Sequence, residues 1–393
     1  MSFTYAVLGA GRQGAAAAYD MIRFGDAGAV LLADRDGDLA ADAAERINRL
    51  TGSTLASPAQ VDVTDNRALV AFLKPVDALL SAVPYAFNQT VTLACIASRT
   101  HMCDLGGNTD VVRSQLALNG EALAAGISIV PDCGLQPGMG NTLAVYAMGQ
   151  MSDPQEVRIW VGGLAQEPRP PFDFLLTFNV EGLTNEYDEM SIVLQDGERV
   201  VLPAFEGLEE IDFPPPVGRC EAFLTTGGTS TCPWTFEGKL RTYVEKTVRY
   251  PGHRATFRAF RDLGLFVRQP LRVGEVAIVP RDLYHALLKP RIDFPDDRDL
   301  VVLRVQCDGK DSGRAVRVTL DLMDFHDPVT GFRAMERTTG WPAAIVAQMQ
   351  ARGLVQPGAT PLEVAVRPEP FLVELRRRGF DLTETVTEKQ PTG

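Results

Sequence analysis

The chain has 393 residues, 45% hydrophobic and 22% charged, and its 38 Lys and Arg against 50 Asp and Glu give a net charge of −12. This length predicts two domains, and the apolar share excludes a disordered chain. The acidic balance excludes a nucleic-acid partner, which would need a basic face against phosphates, and no run approaches the ~18 apolar residues of a membrane span.

In chain order, Thr4–Leu8 reads as a strand and Gln13–Phe24 as a helix stopped at Gly25. Ala29–Ala33 follows as a strand and Leu39–Leu50 as a helix. Short extended pieces are expected at Leu55 and Val61–Val63, then a helix capped near Asp65. The series continues with strand Ala78–Val83, helix Phe87–Ser98, strand Met102–Leu105, helix Val111–Ala125 and strand Ser128–Val130. Strands separated by helices of this length imply parallel pairing through right-handed crossovers. Beyond Met151 the texture changes to Pro-rich stretches and alternating runs, Val157–Val161, Thr247–Tyr250, Val301–Gln306 and Ala315–Leu322. The last two predict a hairpin across CDGKDSG. Helical periodicity returns at Thr339–Arg352, and the terminal TEKQPTG is expected to fray.

The division that follows is α/β: residues 1–144 as a doubly wound parallel sheet, and 145–335 as a second α+β domain with a mixed sheet. Residues 336–393 form a C-terminal helical segment returning to the first domain. The opening MSFTYAVLGAG lacks a basic n-region, so no signal peptide is expected. Six cysteines without a CxxC pair fit a reducing, cytoplasmic setting. The four histidines, His101, His253, His285 and His326, are nowhere at metal-ligand spacing, so no metal is expected.

Gly9-Ala10-Gly11-Arg12-Gln13-Gly14 lies between a predicted strand and a predicted helix, the context a dinucleotide fingerprint requires. Gly9 permits the tight turn, Gly11 the approach of a pyrophosphate, and Gly14 close helix–strand packing. The helix start adds unpaired N–H groups for the phosphates. Asp34, twenty residues beyond Gly14, is placed to bind ribose hydroxyls and disfavours a 2′-phosphate. The cofactor expected is therefore NAD, and Arg35 alongside leaves NADP open. The domain is thus of Rossmann type. Val63 and the loop Val83-Pro84-Tyr85 are further candidates for cofactor contact, the loop beside the nicotinamide at the carboxyl edge of the sheet.

Asp104-Leu105-Gly106-Gly107 and Asp132-Cys133-Gly134 end the next two strands, so both acids point to the same crevice. Asp residues in such places also cap helices or organise turns, and Cys103 and Cys133 read as small core residues. In the second domain Thr226-Gly227-Gly228-Thr229-Ser230-Thr231 could hold a carboxylate or serve as a flexible connector, and composition favours the connector. The charges of Arg241–Tyr250 read as a solvated face, with His253 following at a Pro-Gly turn.

GAGRQG, VPYAFN, DLGG, PDCGLQPGM, GGTST and EKTVRYPGH, in this order over about residues 4–380, resemble the saccharopine dehydrogenase-like reductases. Within that group they look most like the lysine 6-dehydrogenases. Where fungal saccharopine reductases carry Asp in a GLDPG element, this chain has Gln136. The resemblance implies oxidation of the L-lysine ε-amine by NAD⁺, with ammonia released and the semialdehyde cyclising, and a homodimer through the second domain. A lysine ammonium cannot release hydride while protonated. Asp104 is therefore the first candidate base and His253 the second. Gly107, Thr229, Ser230 and Arg241 are candidates for binding the small amino-acid substrate, the last through bidentate pairing. The alternatives are a saccharopine or carboxynorspermidine-type reductase, which would need more than one carboxylate-binding arginine, and a non-catalytic NAD-binding sensor.

Overall fold

A computed structural model describes residues 2–388. The first segment alternates β1 (Phe3–Leu8), α1 (Arg12–Phe24), β2 (Ala27–Asp34), α2 (Gly37–Thr51), β3 (Ala56–Gln60), α3 (Asn66–Leu73) and β4 (Ala78–Ser81). After a 3₁₀ turn over Tyr85–Phe87 come α4 (Asn88–Ser98), β5 (His101–Asp104), α5 (Thr109–Leu116), α6 (Asn119–Ala125), β6 (Ser128–Val130) and α7 (Met139–Gly149). Side-chain caps set several helix starts: Asp36 accepts from Asp38 and Leu39, Asp65 from Ala68, and Asn108 from Asp110 and Val111.

Three local expectations are corrected. One strand, Ala56–Gln60, replaces the two extended pieces, so Val63 lies in the loop beyond it, half-buried against the core. The strand expected to reach Val83 ends at Ser81, and Val83-Pro84 turns into the 3₁₀ segment. The helix expected over 111–125 breaks at Ala117–Leu118. There Asn119 turns its Oδ1 to accept the N–H of Ala359.

The second segment runs β7 (Asp153–Ala165), α8 (Val180–Asp188), β8 (Met190–Gln195), β9 (Glu198–Pro203), β10 (Glu209–Phe213), β11 (Gly218–Phe223), α9 (Cys232–Thr235) and β12 (Thr242–Arg249). It continues with α10 (His253–Asp262), β13 (Leu271–Val273), β14 (Val276–Ile278), α11 (Pro280–Ile292), β15 (Asp299–Asp311) and β16 (Arg314–Phe325). The chain ends with α12 (Ala334–Ala351), β17 (Gly358–Ala359), α13 (Leu362–Ala365), α14 (Pro368–Arg377) and β18 (Leu382–Glu388). The chain divides into two compact units. Among the described residues, one comprises 2–146, 328–332 and 336–380, and the other 147–327, 333–335 and 381–388.

Among the described residues, the first unit holds a seven-stranded sheet in the order β17-β6-β5-β4-β1-β2-β3, every pairing parallel. Such a sheet needs cover on both faces. Leu69, Leu73, Val91 and Met102 belong to the core of one layer. α12 packs so closely on α1 that a Cβ on Gly340 would stand 2.7 Å from the Gln13 carbonyl oxygen. The Gln350 amide on α12 donates to the Met102 and Ser128 carbonyls, fixing the helix to two strands. No helix of the described residues is long and apolar enough to cross a membrane.

The second unit is built on a nine-stranded mixed sheet whose main path is β10-β11-β12-β7-β15-β16-β18, with β8 joining β12 and β9 joining β8. β12 and β7 run parallel, while the other pairs are antiparallel. The β15–β16 hairpin turns at Ser312-Gly313, both at positive φ, and not at Asp308-Gly309. Gly309 instead lies inside β15, where a Cβ would come within 2.3 Å of the Asp153 carbonyl oxygen. The segment 336–393 does not all return to the first unit. β18 pairs with β16 over Leu382–Glu388, so the Thr387-Glu388 part of the expected frayed end is strand. The remaining 389–393 lie outside the described residues. Phe174, Tyr187, Phe205, Phe223, Phe257 and Tyr284 form part of an aromatic core involving α8, α10 and α11.

Candidate active site

Two polar assemblies stand out, one in each unit. In the first, Gly9 sits at φ 94°, and a Cβ there would strike the Ala82 carbonyl oxygen at 2.7 Å. Gly14 packs so tightly that a Cβ would stand 1.8 Å from the Gly9 oxygen. At Gly11, by contrast, a Cβ would meet nothing within 4 Å. Two glycines are thus demanded by the protein's own packing, while the third leaves open space, which is the division a bound pyrophosphate requires. Arg12 opens α1, exposed, and Gln13 is half-buried behind it. The dinucleotide therefore fits the residues present.

Asp34 ends β2 with one carboxylate oxygen accepting the Ala10 N–H at 2.9 Å and the other that of Asp36 at 3.0 Å. It ties the glycine loop to the strand end and retains lone pairs for a ribose. Beyond it lies an open depression lined by Arg35, Asp36, Gly37, Asp38, Gln60 and Asp62. Bonds from the Thr64 N–H and hydroxyl hold the Asp62 carboxyl below its usual range, so it is ionised at neutral pH.

At the carboxyl ends of β4, β5 and β6 the structure gathers Tyr85, Asp104, Gly107 and Asp132. A Cβ on Gly107 would approach the Tyr85 ring at 3.1 Å, and one on Gly106 would collide with the Asp132 carboxylate. Asp132 itself is buried at φ 62°, a conformation seldom adopted by a non-glycine residue and concentrated at functional sites. Asp104 is corrected. It is fully buried, with Oδ1 accepting the N–H groups of Gly106 (2.8 Å) and Asp132 (3.1 Å) and Oδ2 accepting the Gln115 amide (2.8 Å). Burial pushes its pKa up, with these three bonds pulling the other way. The carboxylate organises two loops and offers no face to a substrate. Cys103 and Cys133 are buried, and burial drives the Cys133 thiol far from ionising, which makes it inert.

In the second unit the sequence misplaced several charges. β12 lies between β11 and β7, so it is a central strand, and its alternation puts Tyr243, Glu245, Thr247 and Arg249 on one face. Those residues are buried, with Glu245 at 2% and Arg249 at 4% exposure. The signal was available: the period-2 face that carries Glu245 and Arg249 also carries Tyr243, a core residue. Tyr187 and Glu186, on α8, were missed outright.

The Arg249 guanidinium donates from Nε to the Tyr187 hydroxyl (3.0 Å) and from Nη1 to the Val248 carbonyl (3.0 Å), and its Nη2 lies 3.5 Å from Glu186. It stands 5.2 Å from the Phe174 ring centroid. Burial, reinforced by the neighbouring Glu186 charge, pushes Glu245 up to about 8 against the pull of Arg249. Glu186, which keeps a third of its side chain exposed, is raised to about 7 by burial, again against Arg249. The deeper Glu245 carries more weight.

His253 is corrected as a base. Its ring stacks on Phe257 at 4.0 Å and its Nε2 meets the Tyr187 hydroxyl at 2.9 Å. Burial, with Arg249 adding to it, holds its pKa well below the usual histidine value, so it is a neutral member of the aromatic core. The GGTST loop is a packed segment and not a flexible connector. Thr229 and Ser230 are buried, Thr229 donates to the Ile192 carbonyl at 2.7 Å, and Ser230 adopts φ 48°. A Cβ on Gly228 would lie 2.2 Å from the Glu245 carboxylate, so glycine is what lets this loop close over that acid. Arg241 does not join the cluster; largely exposed, it pairs with Glu156 at the start of β7.

Comparison with known proteins matches both units. Residues 5–130 match the family model "Saccharopine dehydrogenase NADP binding domain" and residues 134–380 "Saccharopine dehydrogenase C-terminal domain". The carboxynorspermidine synthase of Vibrio cholerae is 24% identical, over 80% of this chain and 79% of the relative. The bovine mitochondrial alpha-aminoadipic semialdehyde synthase is 23% identical over 80% of this chain, which spans only 41% of that longer relative. The apo saccharopine dehydrogenase (L-Glu forming) of Saccharomyces cerevisiae shares the fold at a TM-score of 0.79 and 20% identity, covering 98% of this chain and 100% of the yeast chain. The first unit's cofactor is a nicotinamide dinucleotide, and the chain belongs to the saccharopine dehydrogenase family.

Proposed function

We propose that this chain oxidises a carbon–nitrogen bond of an amino acid, and that its substrate is L-lysine, deaminated at the ε-amine. The observation that carries the reading is Arg249. It is a buried planar fork with five N–H donors, two of them bonded to neutral acceptors and one side facing Glu186 loosely. Donors remain for one carboxylate, and Glu245 beside it can accept an ammonium. That pair of complements is the head of an α-amino acid.

The other arginines that could have formed a second clamp are engaged elsewhere. Arg219 pairs with Asp212 and Glu210, Arg241 with Glu156, and Arg258 with Asp262, while Arg254 donates to the Phe205 carbonyl. One arginine suits a single carboxylate, as in lysine, better than the several of a saccharopine-like secondary amine.

The roles assigned to the chain's own residues follow. Gly9, Gly11, Gly14 and Asp34 seat the dinucleotide, with Val83, Pro84 and Tyr85 bordering its nicotinamide end. When bound, it supplies a hydride acceptor. Asp104 acts as a positioning residue, fixing Gly106-Gly107 and Asp132 at the nicotinamide end of the first unit. Removal of the ammonium from water favours its neutral form, its proton passing to solvent. The Cε–H bond would then break with its electron pair as hydride to a bound dinucleotide. Water then adds to the resulting imine and ammonia departs, leaving an aldehyde. The acidic surroundings of Asp34, with Asp36, Asp38 and Asp62 against Arg35, oppose a 2′-phosphate, so NAD is preferred to NADP.

The Vibrio relative's name supports a second reading, oxidoreduction at a secondary amine. The deciding assay is NADH or NADPH formation at 340 nm with L-lysine, saccharopine and carboxynorspermidine, with ammonia measured in parallel. Lysine turnover with one ammonia per NADH is the expected outcome. Turnover of either secondary amine alone transfers the assignment to the second reading, and dinucleotide binding with no turnover makes the chain a sensor.

A further inference from the structure

A guanidinium can grip a carboxylate by its Nε side or by its two Nη tips. In Arg249 the structure closes the first. Its Nε donates to the Tyr187 hydroxyl at 3.0 Å, and that hydroxyl meets His253 Nε2 at 2.9 Å. The line joins the end of β12, α8 and the first residue of α10. All three side chains are buried, Tyr187 completely.

Counting protons gives each bond its direction. A guanidinium can only donate, so the Tyr187 oxygen accepts from Arg249. The phenol keeps its own proton, because burial pushes its pKa up to about 12 against the pull of Arg249. A buried O–H needs an acceptor, and His253 Nε2 is within reach of it. Nε2 is therefore bare, and the ring is the neutral Nδ1–H tautomer. Two neighbours favour that form: the Phe172 carbonyl accepts a ring N–H, and the N-terminus of α10, which His253 opens, disfavours a cation. With the opposite tautomer, His253 and Arg249 would both donate to one oxygen, and the phenol proton would be stranded in the aromatic core.

We infer that His253, acting through Tyr187, is a positioning residue for amino-acid binding. As the Nδ1–H tautomer it takes the Tyr187 proton, holds the phenol lone pair on the Arg249 Nε, and so presents the guanidinium to the substrate carboxylate by its Nη tips. The inference rests on the reading of Arg249 as the carboxylate-binding arginine and adds the device that aims it. Nη1 keeps one bond to the Val248 carbonyl and Nη2 lies 3.5 Å from Glu186. Each tip carries two N–H groups, so each retains one for a ligand. His253 needs neither contact with the substrate nor a change of charge to do this.

Two measurements on the full chain test it. With ¹⁵N in the histidine rings, the His253 signals, identified by their loss in His253→Gln, are expected to show a protonated Nδ1 and a bare Nε2 at pH 7. Kinetics are then read with whichever of the three amines is turned over, since each carries a carboxylate. Tyr187→Phe removes the acceptor and is expected to raise KM about 10-fold or more, the worth of a bond to a charged group. His253→Phe keeps a ring for the stack on Phe257 but offers no acceptor, and a rise of about 3–10-fold is expected. His253→Gln, whose amide oxygen can stand in for Nε2, is expected to bring KM back to within about threefold of wild type, with kcat changing less than KM throughout.

A ring protonated at Nε2, or cationic at pH 7, overturns the inference. So does a KM that Tyr187→Phe and His253→Phe leave unchanged while Arg249→Met raises it; the arginine then binds unaided, and its own reading survives. If Arg249→Met also leaves KM unchanged, the carboxylate clamp and its aiming device fall together. A purely structural His253 would give both of its variants the same KM and the same fall in urea midpoint, which overturns the inference as well.

Discussion

Of the buried arginines that lie beside carboxylates, Arg378 in the first unit and Arg249 in the second stand in sites built on opposite principles. In the first unit Arg378 is closed. Its Nε and Nη2 grip Asp20 at 2.5 and 2.8 Å, Nη2 also reaches the Gln348 amide oxygen at 3.0 Å, and Nη1 bonds the Glu374 carbonyl and carboxylate. Gln348 completes the shell by donating to Asp20 at 2.7 Å. All five donors have acceptors, so nothing remains for a ligand. In the second unit Arg249 bonds a hydroxyl and a peptide oxygen, approaches one carboxylate at 3.5 Å, and leaves Glu245 to rise towards neutrality. A saturated buried ion cluster holds a fold together. An unsaturated one with groups titrating near pH 7 is the arrangement expected where a ligand binds.

Removing each arginine should separate the two principles most sharply. Arg378→Met leaves Asp20 buried without its partner, and a loss of about 3–5 kcal/mol is expected, read as a fall in the urea midpoint of the first unit. Arg249→Met should unfold far less readily, because Glu245 and Glu186 can accept protons instead of standing as bare charges. Its effect should fall on the amino acid: a rise in KM of about 10–100-fold, the worth of one charge-assisted hydrogen-bond pair, with kcat less affected. If Arg249→Met melts like Arg378→Met and retains its KM, the open site is as structural as the closed one.

The pH dependence sharpens the same contrast. Glu245 has a folded pKa near 8 against an unfolded value near 4.3, so between these values the folded chain binds more protons than the unfolded one. Stability must therefore fall as pH rises through that window. Substrate binding runs the other way: an ammonium favours ionised Glu245, so KM should drop as pH rises towards 8. Glu245→Gln is expected to flatten both trends and to raise KM above pH 7. A variant with unchanged slopes would mean that the acid does not titrate in this range.

The first unit was legible because its signals are local. The glycine spacing, Asp34 at the strand end and the alternating strands and helices all lie within short windows, and the structure keeps them with small shifts at Ser81, Gln60 and Leu118. The closed cluster was invisible, since Asp20 and Arg378 are 358 residues apart and nothing near either announces the other. Neither did β18 show itself: LTETVTE alternates weakly and pairs only with a strand sixty residues earlier. The open site lay between these extremes. EKTVRYPGH was visible as a motif, but charged residues on a strand suggest a wet face unless the strand is known to be central. That position depends on β7 and β11, which no window around residue 245 contains.

Asp104 provides the finest test, because it is an acid of the closed type set among residues proposed to border the cofactor. Three donors converge on it and no cation does, so the part proposed for it is to hold Gly106 and Asp132 in place. Asp104→Asn keeps the shape and an acceptor for the two backbone N–H groups. Its new amide faces the Gln115 amide, which must turn over to present its oxygen. The expected cost is about 1–2 kcal/mol of stability and a several-fold fall in kcat, with the shape of the pH–rate profile unchanged. A proton acceptor would behave differently, losing about 100-fold or more together with the limb of the profile that reports its ionisation. An unchanged profile with a modest rate loss places Asp104 with Arg378 as framework. A lost limb would place it with Glu245, and would mean that the buried loops around it open during turnover.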